Sequence, residues 1–451
     1  MLTLAARLRY RWPSRQPGPE ALGTAGAWHA PARLWPARSP TARRRVRWSQ
    51  LVAVWAFLGA GLCPAVAEDE APLHVFGFFQ NYVSYQDYPE TRATNTFSLQ
   101  QFNLMMQRQV GRSWSAFANL EAVNSYSSAR RWGSFSLEEA WVRYTANRRL
   151  QVKAGLLVPA FNAFNEIKNR TPLFPYIVRP LVYESSFAEF MALDEYWPGR
   201  AYLQVSGLLP RGRLKVEYAV YAGNSPNVNG DPEAGQTGID TTGVPMVGGR
   251  LGCRFRGLRL GLSGTREAVE LASIQNSFVH QTRALAVGWG LGPVPRLTRW
   301  RRGLDASWAS DRCFAEGELI DVRYTHLPAF DPPRATSELP PEMAAVARSL
   351  QVRMGKRFLY VTAGYRPREP WATYLTYWKV NEDLLIDGYR TSLQVYSCGG
   401  AYHVNDRVVL KAQAAIIDQA LGLATRLQPL FPVQQNSETG NSVSLAVTAF
   451  F

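Results

Sequence analysis

The chain has 451 residues, 46% apolar and 19% charged, with a formal net charge of +15. That apolar share excludes a disordered chain, and four cysteines are too few and scattered for a disulfide scaffold or zinc site. The charge invites a nucleic-acid reading, but residues 1–67 hold ten arginines against one acid, Glu20, so +9 of it lies there and only +6 elsewhere.

The first element is an export segment. Arg43-Arg44-Arg45-Val46-Arg47 precedes the apolar run 51–62, and Ala65-Val66-Ala67 ends it. A basic stretch, a short apolar run and an A-x-A end form a secretory signal peptide with cleavage after Ala67. Leu62 before Cys63 is too large for a lipoprotein site. Residues 1–42 form an upstream extension without periodicity, consistent with translation starting near Val46. No stretch after residue 67 has the roughly 20 apolar residues of a membrane helix.

The remainder, 68–451, alternates apolar and polar residues. Leu150, Val152, Ala154 and Leu156 share one face while Gln151, Lys153 and Gly155 share the other. Period two means strands with unlike faces. In order, strands are expected at 73–84, 97–110, 113–124, 134–146, 149–158, 200–209, 213–222, 246–255, 257–266, 303–310, 313–325, 345–356, 358–366, 388–402, 407–418 and 441–451. Short turns fall at Gly111-Arg112, Asn147-Arg148, 210–212, Arg256, Asp311-Arg312, Arg357 and Asn405-Asp406. Long loops fall at 85–96, 125–133, 159–199, 223–245, 267–302, 326–344, 367–387 and 419–440. Alternating short and long connections, with no helix to cover the apolar faces, point to an all-β, transmembrane, antiparallel up-and-down β-barrel of 16 strands. Residues 281–290 are also strand-like, but an 18-strand barrel would need a second extra strand.

The last strand carries Val443, Leu445, Val447, Ala449 and Phe451 on one face and ends Phe450-Phe451. It resembles the terminal β-signal read by the barrel-assembly machinery. Leu73–Gln80 resembles a porin first strand. Leu137–Tyr144 with Leu150–Pro159 resembles the strand pair before a porin's third loop, and Val404–Lys411 a turn into the penultimate strand. The chain thus resembles the bacterial outer-membrane porin superfamily, in the style of phosphate-selective sixteen-stranded barrels. The resemblance implies passive diffusion of small hydrophilic solutes and ions, residence in the outer membrane of a Gram-negative-type bacterium, and a homotrimer. No enzyme activity, cofactor, metal or nucleic-acid partner is expected.

Loop 159–199 is dense in aromatic, aliphatic and proline residues, unlike a solvated loop. As the candidate constriction loop, it would anchor through Phe161, Phe164, Phe174, Tyr176 and Tyr183. Glu166, Lys168, Asn169, Arg170 and Arg179 would face the opening. The alternative is a loop capping the outside. Pore-wall candidates are the basic Arg143, Lys153, Lys215, Arg250, Arg254, Arg259, Arg353 and Lys411, and the acidic Glu121, Glu139, Glu217 and Asp305. The basic excess favours anions. Trp114, Trp141, Tyr144 and Trp308 are expected in interfacial girdles, and Cys253 on the lipid face with Leu251 and Phe255. Loop 223–245 could hold a cation through Asp231, Glu233 and Asp240, although the spacing fits no calcium loop. The competing functions are a non-conducting barrel acting as receptor, adhesin or assembly partner, and an outer-membrane hydrolase. His280 and His326 lie among acids, but no motif ties either to a nucleophile.

Overall fold

A computed structural model describes residues 71–88, 91–123, 134–179, 201–225, 243–269, 297–325, 341, 355–383, 389–423 and 437–451. The signal segment, Tyr183, Arg353, His280, His326 and the Asp231–Asp240 loop lie outside these residues.

Sixteen strands follow in chain order. They are β1 (His74–Tyr88), β2 (Thr91–Val110), β3 (Trp114–Val123), β4 (Ser134–Asn147), β5 (Leu150–Leu156), β6 (Ala201–Arg211), β7 (Leu214–Gly223) and β8 (Met246–Phe255). Then come β9 (Leu258–Val269), β10 (Leu297–Ala309), β11 (Cys313–Thr325), β12 (Gly355–Tyr365), β13 (Trp371–Asp383), β14 (Tyr389–Asn405), β15 (Val408–Leu423) and β16 (Ser437–Phe450). Each pairs antiparallel with its sequence neighbours, and β1 closes the barrel against β16. Closure runs from Phe78↔Phe450 to Asp87↔Asn441, and Gly77 and Phe451 exchange backbone hydrogen bonds at 3.0 and 3.1 Å. Closure removes the free edges that an apolar sheet would otherwise expose.

Period two sorts the side chains. Val443, Leu445, Val447 and Phe451 are exposed on the outer surface, whereas Ser444, Ala446 and Thr448 are buried inside. Trp114, Tyr144 and Trp308 are likewise outward and exposed, and Cys253 shares its outward face with Leu251 and Phe255. Trp141 departs from its girdle expectation. It turns inward and stacks on Phe117 at 5.0 Å between ring centroids. The two-residue turn at Arg256-Gly257 needs a positive φ, and Arg256 supplies one of 53°.

Three sequence expectations require correction. Most of the expected strand 345–356 lies outside the described residues, and Arg357, expected at a turn, lies within β12, which runs Gly355–Tyr365. The segment 371–383, expected in a loop, is strand β13. Its alternation is erased because Tyr374, Trp378 and Val380 face an apolar interior while Trp371, Leu375 and Tyr377 face outward. The third correction concerns connections. Only residues 89–90 separate β1 from β2, and 384–388 separate β13 from β14, so two of the eight outer loops are short.

Candidate functional site: the barrel lumen and its inner segment

Residues 157–179 leave β5 and pack inside the barrel. Leu157, Phe161, Phe164, Tyr176 and Ile177 are fully buried. Phe161, Phe164 and Tyr176 join Ile320, Val322, Tyr324, Phe358, Tyr360, Tyr374, Trp378, Val380, Leu393, Val395 and Ile417 in one apolar cluster, with Phe174 packed beside it. Phe174 and Tyr176 stack at 5.2 Å, and Phe164 meets Tyr360 edge-on at 6.0 Å. The inner wall of β11–β15 is therefore apolar where the segment lies, contrary to a uniformly polar lumen face.

Polar groups fix the path. A buried backbone N–H needs an acceptor, and wall side chains provide them. Phe164 N–H donates to Glu318 Oε1 at 2.7 Å, and Asn162 N–H to Ser263 Oγ at 2.9 Å. Ala160 N–H donates to Gln204 Oε1 at 3.0 Å. Ile177 and Val178 N–H both reach Gln413 Oε1, at 2.8 and 2.9 Å. Gln100 Nε2 donates to Ile177 O at 2.8 Å, and Lys411 Nζ to Pro172 O at 2.9 Å. The segment is thus tied to β2, β6, β9, β11 and β15, which span the barrel. Asn162 adopts a φ of 49°, a conformation Asn tolerates well. It seats against Gly303, where any Cβ would collide with its side-chain amide. Burial, with the carboxylates of Glu316 and Glu318 nearby, pushes the Tyr176 phenol well up, so it stays neutral and donates to Glu316.

Between Asn165 and Leu173 the segment forms a 3-10 helix, and its charges diverge. Glu166 lines a cavity of ≈ 270 Å³ with Arg148, Glu217, Arg250, Arg254 and Arg259. Arg170 lines another of ≈ 480 Å³ with Arg143, Lys153, Trp141, Phe76, Phe78 and Phe117. Lys153 sits 4.7 Å from the Trp141 ring centroid. Among the described residues this larger cavity has three cationic side chains and no Asp or Glu in its lining, while Glu139 interacts electrostatically with Lys153 and Arg170. Arg179 interacts electrostatically with Glu121. The backbones of Lys168 and Asn169 belong to the 3-10 helix; their side chains lie outside the description.

The wall candidates fall in two groups. Arg250 holds Asp305 in a two-pronged contact, Nη2–Oδ2 at 2.6 Å and Nε–Oδ1 at 3.2 Å, and reaches Glu217 at 3.4 Å. Arg254 also pairs with Glu217, as does Arg259 at 3.1 Å. Gly261 leaves room for the Arg250–Asp305 pair. Lys215 shares its inward register with Arg254 and is exposed. Arg143 donates to Ser115 at 3.2 Å, and Glu139 accepts from Trp141 Nε1 at 3.0 Å. Lys411 also points inward, but it is covered by the segment it holds.

Several lumen residues lie beyond the expected strand ends or at breaks in the period. Glu267, Arg299 and Arg301 face inward, with Arg299 Nε 2.7 Å from Glu267 and Arg301 paired to the same carboxylate. They fell in the expected loop 267–302, yet Arg299-x-Arg301-x-Gly303-x-Asp305 carries the alternation. Glu138 and Gln100 sit at β-bulges, which turn an extra side chain inward.

No protein-family model matches the chain, and no curated protein is similar to it in sequence. Solved structures match the fold. An anion-selective porin from Comamonas acidovorans aligns at 13% identity with a TM-score of 0.52, over 85% of this chain and 100% of that one. The outer membrane channel DcaP of Acinetobacter baumannii gives 12% and 0.50, over 85% and 99%. Salmonella typhi OmpF, in complex with daunomycin, gives 11% and 0.51, over 86% and 99%. The chain therefore has the fold of the bacterial outer-membrane porins, a closed sixteen-stranded barrel.

Proposed function

We propose that this chain is an outer-membrane porin for passive diffusion of small hydrophilic solutes, with a mild preference for anions. The observation that carries this reading is the inner segment 157–179. It is tied across the lumen, and its Arg170 completes a cation-lined cavity with Arg143 and Lys153. A sixteen-stranded barrel is wide enough for an aqueous channel, and a segment lodged inside sets its bore. Cations on a low-dielectric wall raise the local concentration of anions. The arginine-rich leader directs export, and Phe451 presents the terminal strand to the assembly machinery. Three copies are the expected assembly. The apolar inner cluster favours a second reading, a plugged and non-conducting barrel serving as receptor, adhesin or assembly partner.

Replacing Arg143, Lys153 and Arg170 together with alanine is expected to move the reversal potential in a salt gradient toward cation preference. Unchanged selectivity in a conducting, folded barrel would remove these residues from the ion path.

A further inference from the structure

The short turns are not alike in charge. Arg148 and Arg149 occupy the turn between β4 and β5, Arg211 and Arg213 flank Gly212 between β6 and β7, and Arg256 stands between β8 and β9; all five are exposed. Behind them, on the inward face, Arg143 lies opposite Lys153, and Lys215, Arg254 and Arg259 form one cross-strand row. Within five residues of these three turns stand ten basic side chains and one acid, Glu217. The other four short turns, over the same distance, hold seven Lys and Arg against five Asp and Glu. The basic excess is therefore a crescent on one side of the rim.

Its turns are held in place. Gly207 on β6 lets the β4–β5 turn lie against it, since any Cβ there would collide with Arg149 O. Across the same contact Leu208 N–H donates to Arg148 O at 2.9 Å, and the Tyr218 hydroxyl to Arg149 O at 2.7 Å. Arg149 N–H donates to Asn147 Oδ1 at 2.7 Å. Arg256 keeps its φ of 53° and lies 5.3 Å from the Phe255 ring centroid. A surface fixed in this way leaves little ordering to be done on binding.

Spacing sets the size of what fits. With strands about 4.8 Å apart and tilted by about 40°, successive hairpins follow at roughly 12 Å around the rim, so three span roughly 25 Å plus the reach of their side chains. A standard protein contact covers about 800 Å² per partner, roughly 30 Å across. A small anion would use only one or two of these groups, and a lipid headgroup cannot reach those that face inward.

We propose that this crescent docks an acidic protein of the periplasm, whose Asp and Glu side chains seat on the turn arginines beside the barrel's inner mouth. Short turns face the periplasm in barrels of this kind. Guanidinium forks match carboxylates in two-pronged geometry, and a patch of one sign steers an acidic partner onto it. The inference rests on the barrel and its orientation, and not on conduction.

The test is fluorescence anisotropy with the full-length processed protein in neutral nanodiscs and a labelled peptide of Glu and Ser as the probe. At low salt the peptide should bind the parent. Affinity should fall about tenfold or more in R149E/R213E/R256E and by a smaller factor in R149Q/R213Q/R256Q. Reversing three arginines on the other turns, R312E/R368E/R407E, changes net charge equally and should leave affinity within about twofold of the parent. No binding to the parent, or retained binding in both folded crescent variants, overturns the inference. So do equal losses in the two charge-reversed proteins, because net charge alone would then hold the peptide. Displacement of the peptide by short-chain phosphatidylglycerol or by inorganic phosphate at matched charge also overturns it, and would assign the patch to lipid or to small anions. None of these readings depends on conductance, so failure here leaves the channel proposal standing.

Discussion

Replacing Phe164 with alanine is expected to release the inner segment and raise single-channel conductance. Phe164 is fully buried and meets Phe174, Tyr176 and Tyr360. Removing a buried phenyl ring costs about 3–5 kcal/mol. The barrel has its own backbone ladder, so the loss falls on the docked segment. That shifts the docked-to-undocked ratio by roughly two to four orders of magnitude. The electrical record should show larger and noisier openings, and protease should cut within 157–179 in barrels that remain heat-stable. Unchanged conductance in a folded F164A barrel would mean that the segment does not set the bore. The plugged-barrel reading predicts a sharper outcome, a silent parent and a conducting variant.

The second large effect concerns the wall. Arg250 is buried between Asp305, whose side chain is 1% exposed, and Glu217. Substitution by alanine leaves Asp305 without its two-pronged partner and brings two carboxylates into unscreened proximity. Breaking a buried pair from one side costs about 3–5 kcal/mol. R250A should therefore lower the barrel's thermal unfolding temperature, while R250A/D305A recovers a measurable part of it, because the stranded charge is gone. Equal stability of R250A and the parent would show the pair to be replaceable by water. Arg254 and Arg259 share Glu217 from more exposed positions. Their single losses are expected within about 1 kcal/mol, in the range of surface pairs.

Why some of this was legible in the sequence and some not comes down to which faces are unlike. In β16, valines and leucines meet lipid while serines and threonines turn inward, so the alternation survives and the strand is plain. In β13 both faces are apolar, because Trp378 and Val380 pack under the inner segment, and the strand read as loop. The aromatic density of 159–199 marked a segment that packs, and its inner partners were invisible because they come from strands far away in sequence. Glu318 and Gln413 have no feature in the sequence that distinguishes a loop anchor from a pore-lining side chain. Bulges hide residues differently. Period two cannot announce the extra inward turn of Glu138 or Gln100, since a bulge is a local break in that very period. Arg299 and Arg301 were lost only because β9 and β10 run several residues farther outward than the pattern at their ends indicated.

The whole-chain charge takes on a different meaning once placed. The N-terminal arginines fall in the proposed leader. Of the charges in the described barrel, Arg250, Arg254, Arg259, Arg299 and Arg301 share Glu217, Glu267 and Asp305 inside, and Arg302, Arg323 and Arg357 face outward. Around the inner segment Arg143, Lys153 and Arg170 line one cavity together, with Glu139 interacting electrostatically with Lys153 and Arg170. The most direct measurement is the reversal potential of single channels formed by the purified protein in planar bilayers under a potassium chloride gradient. Discrete conductance with a potential on the chloride side of zero is the predicted result. A barrel that inserts but never conducts, or a potential on the potassium side, would contradict the account.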